Sequence, residues 1–239
     1  MIDIHYWPTP NGKKVTILLE ELGEPYTIVP VDIARGGQFA PGFLAISPGN
    51  KVPAIVDHEP LDGGAPVSVF ESGAILEYLA DKHGRFLPRD ARGRARVVQW
   101  VYWQAANQGP VFGTANHFIT YAPERIPYAL ERYDREVKRI LGILDRQLDG
   151  RDWLLDDYTI ADIQCWPWAT YHQQLRQDIA QFPHVARWIA RMRARPAVAR
   201  GWAVRDDLRY YTPATLTEEQ KSNLFGANSG GPALRGGAA

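Results

Sequence analysis

Two short stretches bring together residue types whose spacing can do chemistry. Asn50-Lys51-Val52-Pro53-Ala54-Ile55 sets a proline directly before a predicted strand, where the bond from Val52 can be cis and the turn rigid. Such a turn leaves the Val52 N–H and C=O free to pair with something other than a neighbouring strand. Phe70-Glu71-Ser72-Gly73-Ala74-Ile75 reads as a strand end passing into a helix that runs to about Lys82, with Gly84 just past its end. A helix start offers unpaired N–H groups and a positive dipole end, which suit a small carboxylate. Ser72 adds a hydroxyl donor, and Glu71 can receive an ammonium. Taken without the Val-Pro turn, Glu71 and Ser72 are better read as an ordinary helix start. With it, they describe a pocket for a peptide-like ligand carrying an amino-acid end.

The elements that must hold these residues are short. Ile2-Asp3-Ile4-His5-Tyr6 reads as a strand, and Lys13 to Leu22 as a helix closed by Gly23. Tyr26 to Val31, rich in β-branched residues, is a second strand. Ala54-Ile55-Val56-Asp57 and Val67-Ser68-Val69-Phe70 form a hairpin around Leu61-Asp62-Gly63-Gly64. Arg85-Phe86-Leu87-Pro88-Arg89 is the natural linker. Beyond it lie long helical patterns over about 90–120, 124–149, 160–176, 183–194 and 197–210, punctuated by Pro123, Gly150, Pro183 and Pro196. Thr159-x-x-Asp162 is a capping-box variant. The tail after Thr212 is polar, with a short amphipathic helix expected over Leu216 to Phe225 and disorder over roughly the last ten residues.

The bulk numbers exclude several classes. The 239 residues carry 27 basic and 27 acidic side chains, so no global field draws the chain to nucleic acid or a membrane. No stretch approaches the roughly 20 apolar residues of a spanning helix, and the N-terminus lacks a signal-peptide core. A soluble cytoplasmic protein is the expectation. The single cysteine, Cys165, excludes an intramolecular disulfide and any Cys-X-X-Cys pair. It stands among apolar residues in Ile163-Gln164-Cys165-Trp166-Pro167-Trp168 and reads as packing. The six histidines lack metal-ligand spacing, and there is no glycine-rich phosphate loop.

Val52-Pro53 and Glu71-Ser72, followed by Tyr158-Thr159-Ile160-Ala161-Asp162, resemble the glutathione S-transferases from Met1 to about Arg209. Pro8-Thr9-Pro10-Asn11-Gly12-Lys13, Gly36-Gly37-Gln38-Phe39 and Ile46-Ser47-Pro48 are similar to the bacterial Nu-class branch, whose members are glutathione-dependent disulfide-bond oxidoreductases. The resemblance implies an α/β thioredoxin-like domain over 1–84, an all-α helical domain over 90–212, and a C-terminal extension over 213–239. It implies that Val52 holds the cysteinyl backbone of glutathione, Glu71 and Ser72 its γ-glutamyl end, Gln38 a neighbouring part of the peptide, and Lys51 the glycine carboxylate.

A free thiol with a pKa near 8.5 is mostly unreactive at neutral pH, so the protein must stabilise a thiolate. Thr9 and Asn11, on the loop leading into the first helix, can donate hydrogen bonds to a sulfur anion; turn chemistry permits the same residues. The resemblance assigns them the catalytic role, with Asn11 also touching glutathione. With no cysteine on that loop, both thiols of a disulfide exchange come from two glutathiones. Trp100, Trp103, Gln104 and Asn107 share one helix face, usually core, that lines the cleft in this family; Asn107 is the candidate contact for the second glutathione. Arg132 matches a position that reaches glutathione across a homodimer, or else is a helix arginine paired with Glu136. Two other readings stay open: a general transferase using Tyr6 or Thr9, and a glutathione-binding regulator without turnover. Glutathione, reduced or oxidised, is the implied co-substrate, with no metal.

Overall fold

Alternation of apolar residues makes Ile2–Tyr6 a strand (β1) with Ile2, Ile4 and Tyr6 buried on one face. The computed structural model describes residues 1–208, 214–226 and 229. After β1, Thr9 caps α1 (Pro10–Leu22), its Oγ1 accepting the Gly12 N–H at 3.1 Å, and Gly23 closes the helix at φ 70°. Then come β2 (Tyr26–Pro30), the short α2 (Pro41–Leu44), β3 (Ala54–Asp57), β4 (Val67–Phe70) and α3 (Ser72–His83). The sheet order is β2-β1-β3-β4, with β1 parallel to β2 and antiparallel to β3. The expected hairpin pairs Ala54 with Phe70 and Asp57 with Val67. This is a small mixed thioredoxin-like sheet followed by helices.

The helical part runs through α4 (Ala91–Trp103), α5 (Gly109–Asn116), α6 (Pro127–Gln147), α7 (Ile160–Ala169), α8 (Pro183–Arg193), α9 (Pro196–Ala203) and α10 (Glu218–Phe225). The stretch expected as one helix over about 90–120 is interrupted by two π-helical turns, Gln104–Gln108 and His117–Tyr121. The last helix of the body ends at Ala203 rather than near 210, and residues 209–213 lie outside the described residues. So do 230–239, where disorder was expected. The capping box forms: Thr159 Oγ1 accepts the Ala161 N–H, and Asp162 Oδ2 accepts the Thr159 N–H at 3.1 Å. Asp162 Oδ1 also accepts the Leu154 N–H and the Trp188 indole, so this buried carboxylate ties α7 to α8.

One hydrophobic core runs from β1 and α1 through Trp166 and Trp188, so α1 is shared by sheet and helices. A Cβ on Gly201 of α9 would come within 2.5 Å of Ile17 Cα, and Thr16 Oγ1 donates to the Gly201 carbonyl at 2.7 Å. Only glycine permits that approach, which fixes the middle of α1 against the helical part.

Candidate active site

The first turn of α1, the Val52 turn and the start of α3 converge on one cavity of about 890 Å³. Thr9, Asn11, Gln38, Lys51, Val52, Glu71 and Ser72, all named from the sequence, line it. The Val52–Pro53 peptide is cis, and among the described residues nothing pairs with the Val52 N–H or C=O. Glu71 adopts φ 69°, a left-handed conformation that non-glycine residues rarely hold. Such an outlier marks a residue constrained by its surroundings. Its carboxylate is exposed and has no ion-pair partner among the described residues. Ser72 is buried, and its Oγ accepts a hydrogen bond from Lys14 Nζ at 3.2 Å. Lys51 is exposed at the rim, its carbonyl fixed by Ser47 Oγ at 2.8 Å.

The reactive end of the cavity is set by two hydrogen bonds. Thr9 Oγ1 accepts from Gly12 N, so its own hydroxyl hydrogen remains to be donated. Asn11 Oδ1 accepts from the Trp168 indole at 2.9 Å. An indole only donates, so this contact fixes the amide's orientation and leaves its NH₂ without a partner among the described residues. A hydroxyl, an amide NH₂ and the Asn11 N–H in the first turn of α1 thus belong to one cavity wall where a sulfur anion could be held. Tyr6 is fully buried and its hydroxyl donates to the Val204 carbonyl at 3.1 Å, which takes it away from the cavity. Cys165 is buried too, and burial pushes its thiol well above the ordinary range.

Two residues named from the sequence stand apart from this cavity. Asn107 does not line the cavity. It sits on the first π-helical turn, whose extra residue rotates the face, so Asn116 and Thr120 line the cavity from farther along the chain. Arg132 is exposed on α6 and does not reach this subunit's cavity, and Glu136 pairs with Arg139 instead at 3.0 Å. Gln38 is partly diverted: its Nε2 donates to the Asn223 carbonyl at 3.3 Å, while its buried Oε1 has no partner among the described residues. Sequence reasoning missed the roles of Lys14, Trp168 and the end of α10. Trp168 was visible in the Trp166-Pro167-Trp168 run but was absorbed into packing. Two lysines beside a helix start, where the dipole disfavours cations, were a signal for Lys14. From α10, Asn223, Leu224 and Phe225 line the cavity, and Phe225 packs on Tyr121 at 4.4 Å between ring centroids.

Residues 9–82 match the family model "Glutathione S-transferase, N-terminal domain", and residues 118–196 match "Glutathione S-transferase, C-terminal domain". The chain is 51% identical over 198 residues to the disulfide-bond oxidoreductase YfcG of Escherichia coli K12, covering 82% of this chain and 92% of YfcG. The chain belongs to the glutathione S-transferase family. Another relative, the disulfide-bond oxidoreductase YghU of the same organism, is 41% identical over 81% of this transferase and 71% of its own length. Both agree with the Nu-class branch read from the sequence. A glutathione transferase family member from Pseudomonas fluorescens Pf-5, solved with two glutathiones bound, superimposes with TM-score 0.79 and 42% identity, covering 84% of this chain and 92% of that one. A transferase from Pseudomonas putida, solved with one glutathione disulfide per subunit, gives TM-score 0.80 and 38% identity over 85% and 91% of the two chains. Among the described residues of this transferase, no group of three or more His, Cys, Asp or Glu is placed to hold a metal ion.

Proposed function

We propose that this transferase is a glutathione-dependent disulfide-bond oxidoreductase that reduces small or mixed disulfides with two bound glutathiones and no protein cysteine. The observation that carries the reading is the Asn11 amide, oriented by Trp168 so that its NH₂ is left for a ligand, in the same cavity that Thr9 lines at the start of α1. Across the same cavity, Glu71 and Ser72 take the γ-glutamyl end, and the free Val52 backbone takes the cysteinyl unit. Lys51 takes the glycine carboxylate and Gln38 the peptide between. The names and bound ligands of the relatives support the assignment.

One glutathione thiolate attacks a sulfur of the substrate disulfide, forming a glutathione mixed disulfide and expelling one substrate thiolate. The second glutathione thiolate attacks the glutathione sulfur of that mixed disulfide, giving glutathione disulfide and the second substrate thiolate. The protons lost by the two glutathiones end on the two product thiols. Thr9 and Asn11 hold the attacking sulfur as its anion, and the cavity supplies position. We place the enzyme in the cytoplasm as a homodimer, and Arg132's part, across the dimer, rests on the resemblance. Reduction of 2-hydroxyethyl disulfide by glutathione, coupled to glutathione reductase and NADPH, is expected to exceed conjugation of 1-chloro-2,4-dinitrobenzene by a wide margin. Strong conjugation with little reduction would replace this reading with a general transferase, and binding without either turnover with a regulator.

A further inference from the structure

Lys14 is a buried lysine with no anionic partner among the described residues. It is 1% exposed, in the second turn of α1, and its Nζ donates to Ser72 Oγ at 3.2 Å and to Gln104 Oε1 at 2.7 Å. Both acceptors are neutral, and no carboxylate lies within ion-pair distance among the described residues. Its neighbour Lys13, equally buried, is treated differently: it turns to the carbonyls of Trp202 and Val204 and to Asp206 Oδ1 at 2.6 Å. A desolvated ammonium with only neutral partners is costly, and the starts of α1 and α3 add positive dipole ends nearby. Among the described residues nothing of opposite sign touches it. Its one link to the cavity is Ser72, which lines the wall.

We infer that Lys14 is a positioning residue for the ligand's α-carboxylate, orienting the Ser72 hydroxyl toward it and matching its negative charge from behind. The inference rests on the reading that Glu71 and Ser72 hold the γ-glutamyl end. Because Ser72 Oγ already accepts from Lys14, its own hydrogen is left to donate into the cavity. A carboxylate oxygen accepting that hydrogen, about 2.7 Å from Oγ, lies within about 6 Å of the ammonium. At that range, under a protein wall, opposite charges attract through little water.

The surroundings give this arrangement a proton signature. Burial pulls the Lys14 pKa down to about 7, while Cys165 on α7 and Glu71 before α3 oppose the shift. Of these, Cys165 is a neutral thiol at physiological pH; Gln104 and Gln164 complete the shell as amides, joined at 2.7 Å. A bound carboxylate favours the ammonium and raises that pKa. Binding above pH about 7 therefore takes up a proton, and affinity falls as pH rises through that value.

Calorimetric titration of the full-length protein with S-methylglutathione, whose capped sulfur does not titrate, isolates this step. Between about pH 6 and 8, affinity is expected to weaken several-fold, with a binding enthalpy that changes between phosphate and Tris buffer by the uptake of up to one proton. Lys14→Met should bind at least about tenfold more weakly, without pH dependence or proton uptake, because a buried charge partner is gone. At saturating glutathione its kcat for disulfide reduction should stay within about threefold of the unaltered protein, since Lys14 does not touch sulfur. Tight binding by the unaltered protein without proton uptake overturns the inference and leaves the proposed function standing. So does a folded Lys14→Met variant with unchanged affinity and pH profile. Should Lys14→Met fail to fold, the proton count on the unaltered protein decides by itself. Absence of S-methylglutathione binding at every pH overturns both this inference and the proposed function.

Discussion

Replacing Asn11 by Asp keeps the shape of the side chain and its acceptor for the Trp168 indole, and alters only the group left to the sulfur. The lost amide donor is worth about 1.5–3 kcal/mol to an anion. The carboxylate put in its place, about 4 Å from a thiolate, repels it by about 4 kcal/mol at an effective dielectric near 20. The cavity is open to water, which screens both terms, so we take about half of that sum, about 3 kcal/mol, which raises the bound thiol's pKa by about 2 units. Turnover of 2-hydroxyethyl disulfide at neutral pH should then fall about 100-fold, with Asn11→Ala losing less. The fold is expected to survive, because an acidic residue in the first turn of α1 suits the helix dipole. Ultraviolet titration of the bound thiolate, beside the coupled turnover assay and a melting curve, reads all three quantities. A folded Asn11→Asp variant with unaltered thiol pKa and turnover would refute the assignment of Asn11.

Other substitutions test separate parts of the account. Thr9→Ala should cost about 1 kcal/mol of stability through the lost cap and slow disulfide reduction, while Thr9→Ser retains both, as denaturant titration and turnover would record. Asp162→Ala strands the Leu154 N–H and the Trp188 indole in the core, so it should destabilise by about 3–5 kcal/mol in denaturant titration while Asp162→Asn costs less. Phe225→Ala removes the ring packed on Tyr121 at the cavity wall and should raise kcat/KM for bulky disulfides relative to 2-hydroxyethyl disulfide, measured side by side. Stability without ligand should rise with pH from about 7 upward. Lys14 titrates near 7 when folded and near 10.5 when unfolded, so between those values the unfolded chain holds the extra proton, and stability is lost as pH falls from 10.5 to 7. Lys14→Met should flatten that rise in melting curves; a rise that persists in the variant would assign it to another group.

The fold was legible where chemistry is local. Val52-Pro53, the hairpin of β3 and β4, the Thr159–Asp162 box and the Thr217-capped α10 each rest on residues within a few positions of one another. What escaped depends on contacts between distant parts. A π-helical turn adds one residue without breaking the apolar pattern, so the long helix hid its two interruptions, the first of them at Asn107. Trp168 lies 157 positions from the Asn11 it orients, and Asn223 lies 185 from the Gln38 it engages. Lys14 shows the same limit: its residue type hinted at function, but only packing against Ser72 and Gln104 reveals a buried charge.

The central claim is that the enzyme exchanges disulfides without a thiol of its own, and removing its single cysteine tests this most directly. Cys165→Ala, assayed for glutathione-dependent reduction of 2-hydroxyethyl disulfide, should keep the kcat/KM of the unaltered protein, because Cys165 is buried and holds no place in the cavity. Loss of disulfide reduction in a Cys165→Ala variant that still folds and still binds S-methylglutathione would contradict the account.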